Sequence, residues 1–155
     1  MSKNDVRIVK LEPLRVAAVH GFGPEPEGIA WDKMMAFVAA NNLTGVRYFG
    51  FNNPNPAPGS PNYGYEQWVT VGPEVEASGD VAIKAFGGGL YAVMRCQGVQ
   101  NIQGAWQELV GWAESSPYRR SNHQWLEEVL TPPPTPFEEF VLDLYLPIVD
   151  NEEIV

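Results

Sequence analysis

Two adjacent glutamates, Glu127 and Glu128, lie in the middle of the segment HQWLEEVL, residues 123–130. The flanking residues predict a strand, and the side chains of a strand alternate between its two faces. Glu127 should therefore share a face with Trp125 and Val129, while Glu128 points to the opposite face. Burying a carboxylate without a partner is costly, so a buried one usually serves a function. We predict that Glu127 is buried and that Glu128 is more exposed or paired at an edge.

Acidic and aromatic residues share a face in two further predicted strands. Glu66 and Trp68 are two residues apart in YEQWVTV, and Asp143 and Tyr145 are two residues apart in FVLDLYLP, so each pair lies on one face of its strand. Such a face is either solvated and amphipathic, or it lines a pocket with aromatic walls and a carboxylate at its base. A pocket of this kind would hold flat or cationic molecules through stacking and cation–π contacts.

The candidate ligand-binding residues are Glu127, Trp125, Trp106, Trp68, Tyr91, Tyr145 and Glu66. The helical spacing of Trp106 fits core packing as well as it fits a pocket wall. Glu127 would be catalytic only if the protein is an enzyme, acting as a general acid or base where burial favours its protonated form.

Other residue types that are common in catalysis are scarce. His20 and His123 are the two histidines, so a metal site or triad would need carboxylates to complete it, and each is more simply interpreted as structural or exposed. Cys96 has no evident base beside it. Neither GGGL nor GFGPEPEG has the spacing of a phosphate-binding loop. No metal or cofactor is predicted.

Composition indicates one folded domain of 155 residues, with 45% hydrophobic and 19% charged residues. One cysteine suits a reducing compartment, the N-terminus lacks the apolar run of a signal peptide, and no stretch is long enough to cross a membrane, so we expect a cytoplasmic protein. A net charge of −9 disfavours nucleic acid as a partner. The same charge would attract cationic ligands, or it serves solubility alone.

The order of elements repeats along the chain. An apolar strand, a helix, a strand, a proline-rich loop and another strand occur twice, and the helix tryptophans Trp31 and Trp106 are 75 residues apart. Chance agreement of apolar patterns is the alternative to a structural duplication. We place repeat one at about 5–74 and repeat two at about 80–149, within a single domain covering 1–155.

These repeats predict an α+β fold. Neither repeat is large enough to bury a sheet face well alone, so two pseudo-symmetric strand–helix–strand–strand repeats should form one antiparallel sheet with two helices. A central groove is the expected place for a ligand. Both helices are used by the repeats, so no helix-turn-helix fits and direct binding to nucleic acid is not expected.

The chain resembles the GyrI-like (gyrase-inhibitor-like) family in LRVAAVHG with GFGP, the Trp31 helix, YEQWVTV, FGGGLYAVMRCQG and HQWLEEVL followed by DLYLPI. The resemblance runs from Val6 to Ile148. It implies a ligand-binding domain of the kind found in bacterial AraC-type and MerR-type regulators and in free-standing proteins. Their multidrug-binding pockets take lipophilic, often cationic molecules between aromatic walls and a buried glutamate. The glutamate lies in a Leu-Glu-x-Tyr pattern that reads LEEV at residues 126–129, which selects Glu127, with valine in place of tyrosine.

Three functions follow from the resemblance. The first is a free-standing protein that binds small lipophilic, cationic or aromatic molecules. The second is a hydrolase that opens strained cyclopropane rings of DNA-alkylating compounds, and the third is a protein-binding inhibitor of a gyrase-like enzyme. More distant relatives with a SOUL-like fold bind haem, which the two scattered histidines do not support here.

Overall fold

The computed structural model describes residues 5–149. It has an α+β fold with two helices, α1 (Pro26–Ala40) and α2 (Ile102–Glu114), and antiparallel strands. The strands are β1 (Val6–Leu11), β2 (Leu14–Gly23), β3 (Tyr48–Asn52), β4 (Tyr63–Thr70), β5 (Ala82–Phe86), β6 (Gly89–Gln97), β7 (Arg119–Arg120), β8 (Leu126–Val129) and β9 (Val141–Val149). The predicted fold class is confirmed.

The chain divides into two compact units. The first comprises residues 14–86 and is called the 14–86 unit. The second comprises the remaining described residues, 5–13 and 87–149, and is called the 87–149 unit. The strand–helix–strand–strand order that the sequence predicts occurs in each unit, as β2–α1–β3–β4 and as β6–α2–β8–β9, with the short strand β7 between α2 and β8.

The 14–86 unit contains a four-stranded antiparallel ladder in the order β5–β2–β4–β3. Helix α1 begins with Pro26, whose fixed φ suits the first turn, and ends before Asn41. Its contact with the sheet includes Trp31 and Tyr48, whose ring centroids are 5.5 Å apart. A Cβ on Gly21 would collide with the Pro26 carbonyl oxygen, so the helix can start this close to β2 only because position 21 is glycine.

The 87–149 unit has the corresponding order β1–β6–β9–β8, with the short strand β7 also paired to β9. Helix α2 ends before Ser115, and it covers one face of this sheet. The core between them consists of Ala92, Met94, Cys96, Ala105, Leu109, Ala113, Leu144, Leu146 and Ile148. Alternation along β9 places Asp143 and Tyr145 on the opposite face of the sheet.

Strand β1 belongs to the 87–149 unit, because it pairs with β6 from Val6 opposite Met94 to Leu11 opposite Gly89. Strand β5 is the equivalent outer strand of the 14–86 unit. The predicted repeat boundaries, about 5–74 and 80–149, therefore do not coincide with the two units. None of the helices within residues 5–149 is long and apolar enough to cross a membrane.

Candidate functional site

The two adjacent glutamates of β8 have burial opposite to the prediction. Glu128 is 6% exposed, whereas Glu127 is half-buried. Alternation correctly separates them, since Glu127 pairs with Leu144 on the helix side and Glu128 pairs with Asp143 on the other side. The prediction was wrong because it assumed that the strand face carrying Trp125 is the buried face. Trp125 is itself half-buried and precedes the strand, which begins only at Leu126.

Glu128 belongs to a group of charged and aromatic residues on the sheet face opposite α2. We call it the Glu128 cluster, and its members are Glu128, Asp143, Tyr145, Tyr91, Arg95 and Arg7. The Tyr145 hydroxyl donates a hydrogen bond of 2.7 Å to Glu128 Oε1. The Tyr145 ring stands edge-on to Tyr91, with 5.4 Å between centroids. Glu128 is thus a buried carboxylate beside two aromatic rings.

Asp143 is the ion-paired carboxylate of the Glu128 cluster. Arg95 Nε donates to its Oδ1 at 2.6 Å, and Arg7 Nη2 donates to its Oδ2 at 2.9 Å. The hydrogen bond to Asp143 is the largest cause that raises the pKa of Arg95, and the negative charge of Glu128 adds to it. Asp143 therefore anchors both guanidinium groups, which are themselves about half exposed.

Tyr91 is the most deeply buried aromatic residue of this cluster. Its hydroxyl donates to the carbonyl oxygen of Gln124 at 2.6 Å, and its side chain is fully buried. Burial raises the pKa of Tyr91 well above its usual range. The phenol is therefore neutral and offers a fixed apolar ring beside Tyr145.

A second buried carboxylate, Glu66, lies in the 14–86 unit and is 5% exposed. It accepts hydrogen bonds from Lys84 Nζ at 2.6 Å, from Trp68 Nε1 at 2.8 Å and from Asn53 Nδ2 at 3.0 Å. Trp68 in turn contacts two phenylalanines, with centroids 5.1 Å from each. The Glu66 cluster comprises Glu66, Trp68, Lys84, Asn53, Phe51 and Phe86.

Several opposing influences act on the pKa of Glu66. Burial alone would raise it, and this is the largest single influence. The hydrogen bonds from Lys84, Trp68 and Asn53, together with the Lys84 charge, outweigh burial and lower the pKa below its ordinary value. Glu66 is thus ionised and compensated by its own unit.

The third group of predicted residues lies on the helix side of the 87–149 unit. Trp106 Nε1 donates a weak hydrogen bond of 3.4 Å to Glu127 Oε2, and the Trp106 and Trp125 rings are 5.1 Å apart. The Arg120 guanidinium lies over the Trp125 ring at 5.2 Å. We call these four residues the Glu127 cluster. Both tryptophans pack against the core under α2, so the core-packing alternative for Trp106 describes its position.

Of the seven predicted ligand-binding residues, two lie in the 14–86 unit, and the other five lie on the two sides of the 87–149 sheet. Glu66 lies with Trp68, Tyr91 lies with Tyr145, and Glu127 lies with Trp106 and Trp125. Sequence reasoning left Glu128 and Asp143 out of the candidate ligand-binding residues, and it did not identify Arg7, Arg95, Lys84, Asn53, Phe51 and Phe86. The strand register would have found Phe51, which pairs with the predicted Glu66, and it would have brought Glu128 to Asp143.

A groove of about 910 Å³ opens at the end of β6, beside the first turns of α2. Its walls include Arg7, Arg95, Cys96, Asn101 and Glu108, and none of the seven predicted residues lines it. Burial, followed by the negative charge of Glu127, raises the pKa of the Cys96 thiol, so the thiol is a poor nucleophile. Within residues 5–149 no group of three histidine, cysteine or acidic side chains could hold a metal ion.

Comparison with known proteins identifies the family and the fold. The C-terminal domain of EcmrR has a TM-score of 0.73 at 12% identity, covering 96% of this chain and 99% of that one. EcmrR in a DNA complex has a TM-score of 0.72 at 11% identity. The alignment covers 95% of this chain and 58% of the EcmrR chain.

Two further solved structures share the fold. A hydrolase from Listeria innocua has a TM-score of 0.67 at 14% identity, with coverage of 93% and 91%. SAV2435 bound to tetraphenylphosphonium has a TM-score of 0.59 at 13% identity, with 97% of both chains covered. No curated protein matches the chain. The family model for the GyrI-like small molecule binding domain matches residues 4–149, across both units. The chain therefore belongs to the GyrI-like small molecule binding domain family.

Proposed function

We propose that this domain binds lipophilic cations at the Glu128 cluster, with Glu128 as the counter-charge and Tyr145 and Tyr91 as the adjacent aromatic surface. The observation that carries the proposal is the burial of Glu128, which is 6% exposed and held by the Tyr145 hydroxyl at 2.7 Å. We thus assign to Glu128, on the opposite face of β8, the role of buried cation-binding glutamate that the sequence suggested for Glu127.

The physical basis is the cost of keeping a carboxylate out of water. A buried carboxylate is stabilised when an opposite charge approaches it, and the gain is larger where solvent screening is weak. Aromatic rings attract the same cation through their negative faces, with about 2 kcal/mol for a desolvated contact. A large apolar cation gains from both the carboxylate and the rings, and it loses little hydration free energy on binding. It is therefore favoured over a small, strongly hydrated cation.

The family supports a small-molecule ligand, and one relative supports its chemistry. SAV2435, which shares the fold at 13% identity, was solved with tetraphenylphosphonium, a lipophilic cation. This chain spans 58% of EcmrR in its DNA complex, so a role in transcription does not transfer with the domain. The single cysteine is a buried free thiol, which agrees with the reducing, cytoplasmic location that we propose for this function.

Two other clusters supply alternative contacts for the ligand. Glu66 and Trp68 offer a carboxylate and an indole, but Lys84 already compensates that charge at 2.6 Å. Glu127, Trp106 and Trp125 offer an aromatic pair with a half-buried carboxylate, and Arg120 already occupies the Trp125 ring. Binding at either would leave the Glu128 cluster without a role and would show as a different pattern of variant effects.

A calorimetric titration tests the proposal. Tetraphenylphosphonium should bind saturably, and triphenylphosphine oxide, a neutral compound with similar rings, should bind at least about tenfold more weakly, a difference of ~1.4 kcal/mol. Tyr145→Phe keeps the ring but removes the hydroxyl that holds Glu128, so it should weaken binding of the cation more than binding of the neutral compound. Equal affinity for the two compounds would contradict a counter-charge in the site.

A hydrolytic activity is the second candidate, and the Glu128–Tyr145 pair is the observation that favours it. Opening a strained ring requires a proton for the departing group and an activated water, and a carboxyl beside a phenol can supply both. Incubation with a cyclopropane-bearing alkylating compound, followed by mass spectrometry, checks this. Turnover that disappears in Glu128→Gln while tetraphenylphosphonium still binds would favour the hydrolase, whereas no ring-opened product above the uncatalysed rate would exclude it for that compound.

A further inference from the structure

The loop between β7 and β8 holds a serine and a histidine in hydrogen-bond contact. Ser121 Oγ lies 2.8 Å from His123 Nδ1, and His123 Nε2 lies 3.0 Å from the carbonyl oxygen of Leu90. The backbone N–H of Ser121 donates to the Pro147 carbonyl at 3.1 Å, which ties the serine to β9. Both side chains are half-buried, so solvent reaches them.

The partner of each ring nitrogen determines the tautomer of His123. A backbone carbonyl only accepts hydrogen bonds, so the contact with Leu90 requires the proton on Nε2. In the neutral imidazole Nδ1 then carries a lone pair, and the Ser121 hydroxyl donates to it. The serine proton therefore points at a base that is oriented to receive it.

Two further contacts fix the imidazole ring. Tyr91 stands edge-on to it, with 4.8 Å between centroids and an interplanar angle of 80°. Gly89 lies against the ring, and a Cβ at this position would be 2.8 Å from His123 Cδ2 and Nε2. The glycine at the start of β6 is thus what allows His123 to reach the Leu90 carbonyl.

We propose that Ser121 and His123 form a catalytic site that hydrolyses carboxylic esters, with Ser121 as nucleophile, His123 as general base and the Leu90 carbonyl as the group that orients the base. A nucleophile hydrogen-bonded to a base that a third group holds in place is the arrangement by which serine is activated. The site shares Tyr91 with the Glu128 cluster but does not use the Glu128 carboxylate, so the labelling of Ser121 can be tested independently of the proposed function.

The reaction needs water as its only co-reactant. A lone pair of Ser121 Oγ bonds to the ester carbonyl carbon while the hydroxyl proton moves to His123 Nδ1, and the carbonyl π pair moves to oxygen. Collapse breaks the bond to the alcohol oxygen, which takes the proton from Nδ1 and leaves an acyl-serine. Water, deprotonated by Nδ1, then attacks the acyl carbon, and the released serine recovers its proton from the imidazolium.

Covalent labelling with an alkyl fluorophosphonate tests the activation of Ser121 without assuming a natural substrate. The probe should modify the peptide that contains Ser121, as mapped by mass spectrometry, and Ser121→Ala should abolish that adduct. His123→Ala should slow labelling by roughly 100-fold or more, the scale of general-base assistance. Ser116→Ala is the matched control and should leave the rate unchanged, because Ser116 is a half-buried serine whose hydroxyl bonds to the Ala113 carbonyl.

A second variant keeps the test decisive if His123→Ala folds poorly. His123→Gln retains a side-chain donor for the Leu90 carbonyl but removes the base, and a thermal melt verifies that it folds. A folded His123→Gln protein that labels as fast as the wild type would overturn the proposal. An absence of any adduct on Ser121 in the wild-type protein would overturn it as well, and hydrolysis of p-nitrophenyl acetate that survives Ser121→Ala would assign that hydrolysis to another group.

Discussion

Each unit has a buried carboxylate at the centre of an equivalent row of three paired residues across its sheet, but the residues on either side of that carboxylate differ. In the 14–86 unit the row runs His20–Glu66–Phe51, whereas in the 87–149 unit it runs Arg95–Asp143–Glu128. The central acid is ion-paired in both. The outer residue is apolar in one unit and a second carboxylate in the other. We therefore expect the central acids to contribute to stability, and Glu128 is the carboxylate that we propose as the counter-charge of a ligand.

The largest expected effect comes from removing a central acid. Glu66→Ala should destabilise the protein by about 2–3 kcal/mol, because it leaves the buried Trp68 indole and Asn53 amide without their acceptor. Loss of the Lys84 pair adds less, since Lys84 is half exposed and can rehydrate. Urea denaturation measures the change. A loss below about 1 kcal/mol would mean that the cluster is not structural.

Asp143→Ala should cost a similar amount, about 2 kcal/mol, since two guanidinium groups lose their shared acceptor. Both arginines are about half exposed, so water recovers part of that loss. The same urea series checks it, with Arg7→Ala as a control that should cost less because one of two pairs remains. Equal losses for the two variants would contradict a role for Asp143 as the shared anchor.

Glu128→Gln should behave differently from both central acids. Without ligand it should change the free energy of unfolding by less than about 1 kcal/mol, because the amide still accepts from Tyr145 and no longer repels Asp143. The protein should fold normally in the same urea experiment. A loss as large as that of Asp143→Ala would make Glu128 structural and would weaken the comparison between the two rows.

The pH dependence of stability should carry a contribution from Glu66. Its pKa is lowered on folding from the ordinary value of 4.5, so the stabilisation is complete above that value and is lost as pH falls through the folded pKa. Urea unfolding between about pH 6 and pH 3 should therefore show a steeper loss for wild type than for Glu66→Gln. Parallel curves would contradict the compensation of Glu66 by Lys84.

The smallest expected effect separates the two faces of β8. The negative charge of Glu127 contributes to the raised pKa of Cys96, so Glu127→Gln should lower that pKa and modestly accelerate alkylation by iodoacetamide. Glu128→Gln, on the opposite face, serves as the matched control and should leave the rate unchanged. Burial of the thiol is the larger cause of the shift, so both proteins should still react slowly until they unfold. Acceleration by Glu128→Gln alone would contradict the assignment of the faces.

Local patterns predicted much of this fold. The repeated order of elements, with Trp31 and Trp106 in its two helices, predicted α1 and α2. Alternation along β9 correctly placed Asp143 and Tyr145 on the same face. These features depend on residues close in sequence, which is why they can be read without a structure.

The site could be predicted only in part, because it depends on which strands become neighbours. Alternation separated Glu127 from Glu128, but the pattern of one strand does not show which elements pack against each of its faces. Pairing of β1 with β6 brought Arg7 to Asp143, and this register was not visible in the sequence. The segment 121–125 was predicted in part as strand, and it forms the loop that carries His123 instead.

Binding of tetraphenylphosphonium to three matched variants, Glu128→Gln, Glu127→Gln and Glu66→Gln, tests the assignment of the ligand site most directly. Each variant removes one charge and retains the shape of the side chain. Calorimetry should give an affinity at least about tenfold weaker for Glu128→Gln, or ~1.4 kcal/mol, and affinities near that of wild type for the other two. Wild-type affinity in Glu128→Gln, with the loss appearing in Glu127→Gln or Glu66→Gln, would contradict the assignment and move the site to another cluster.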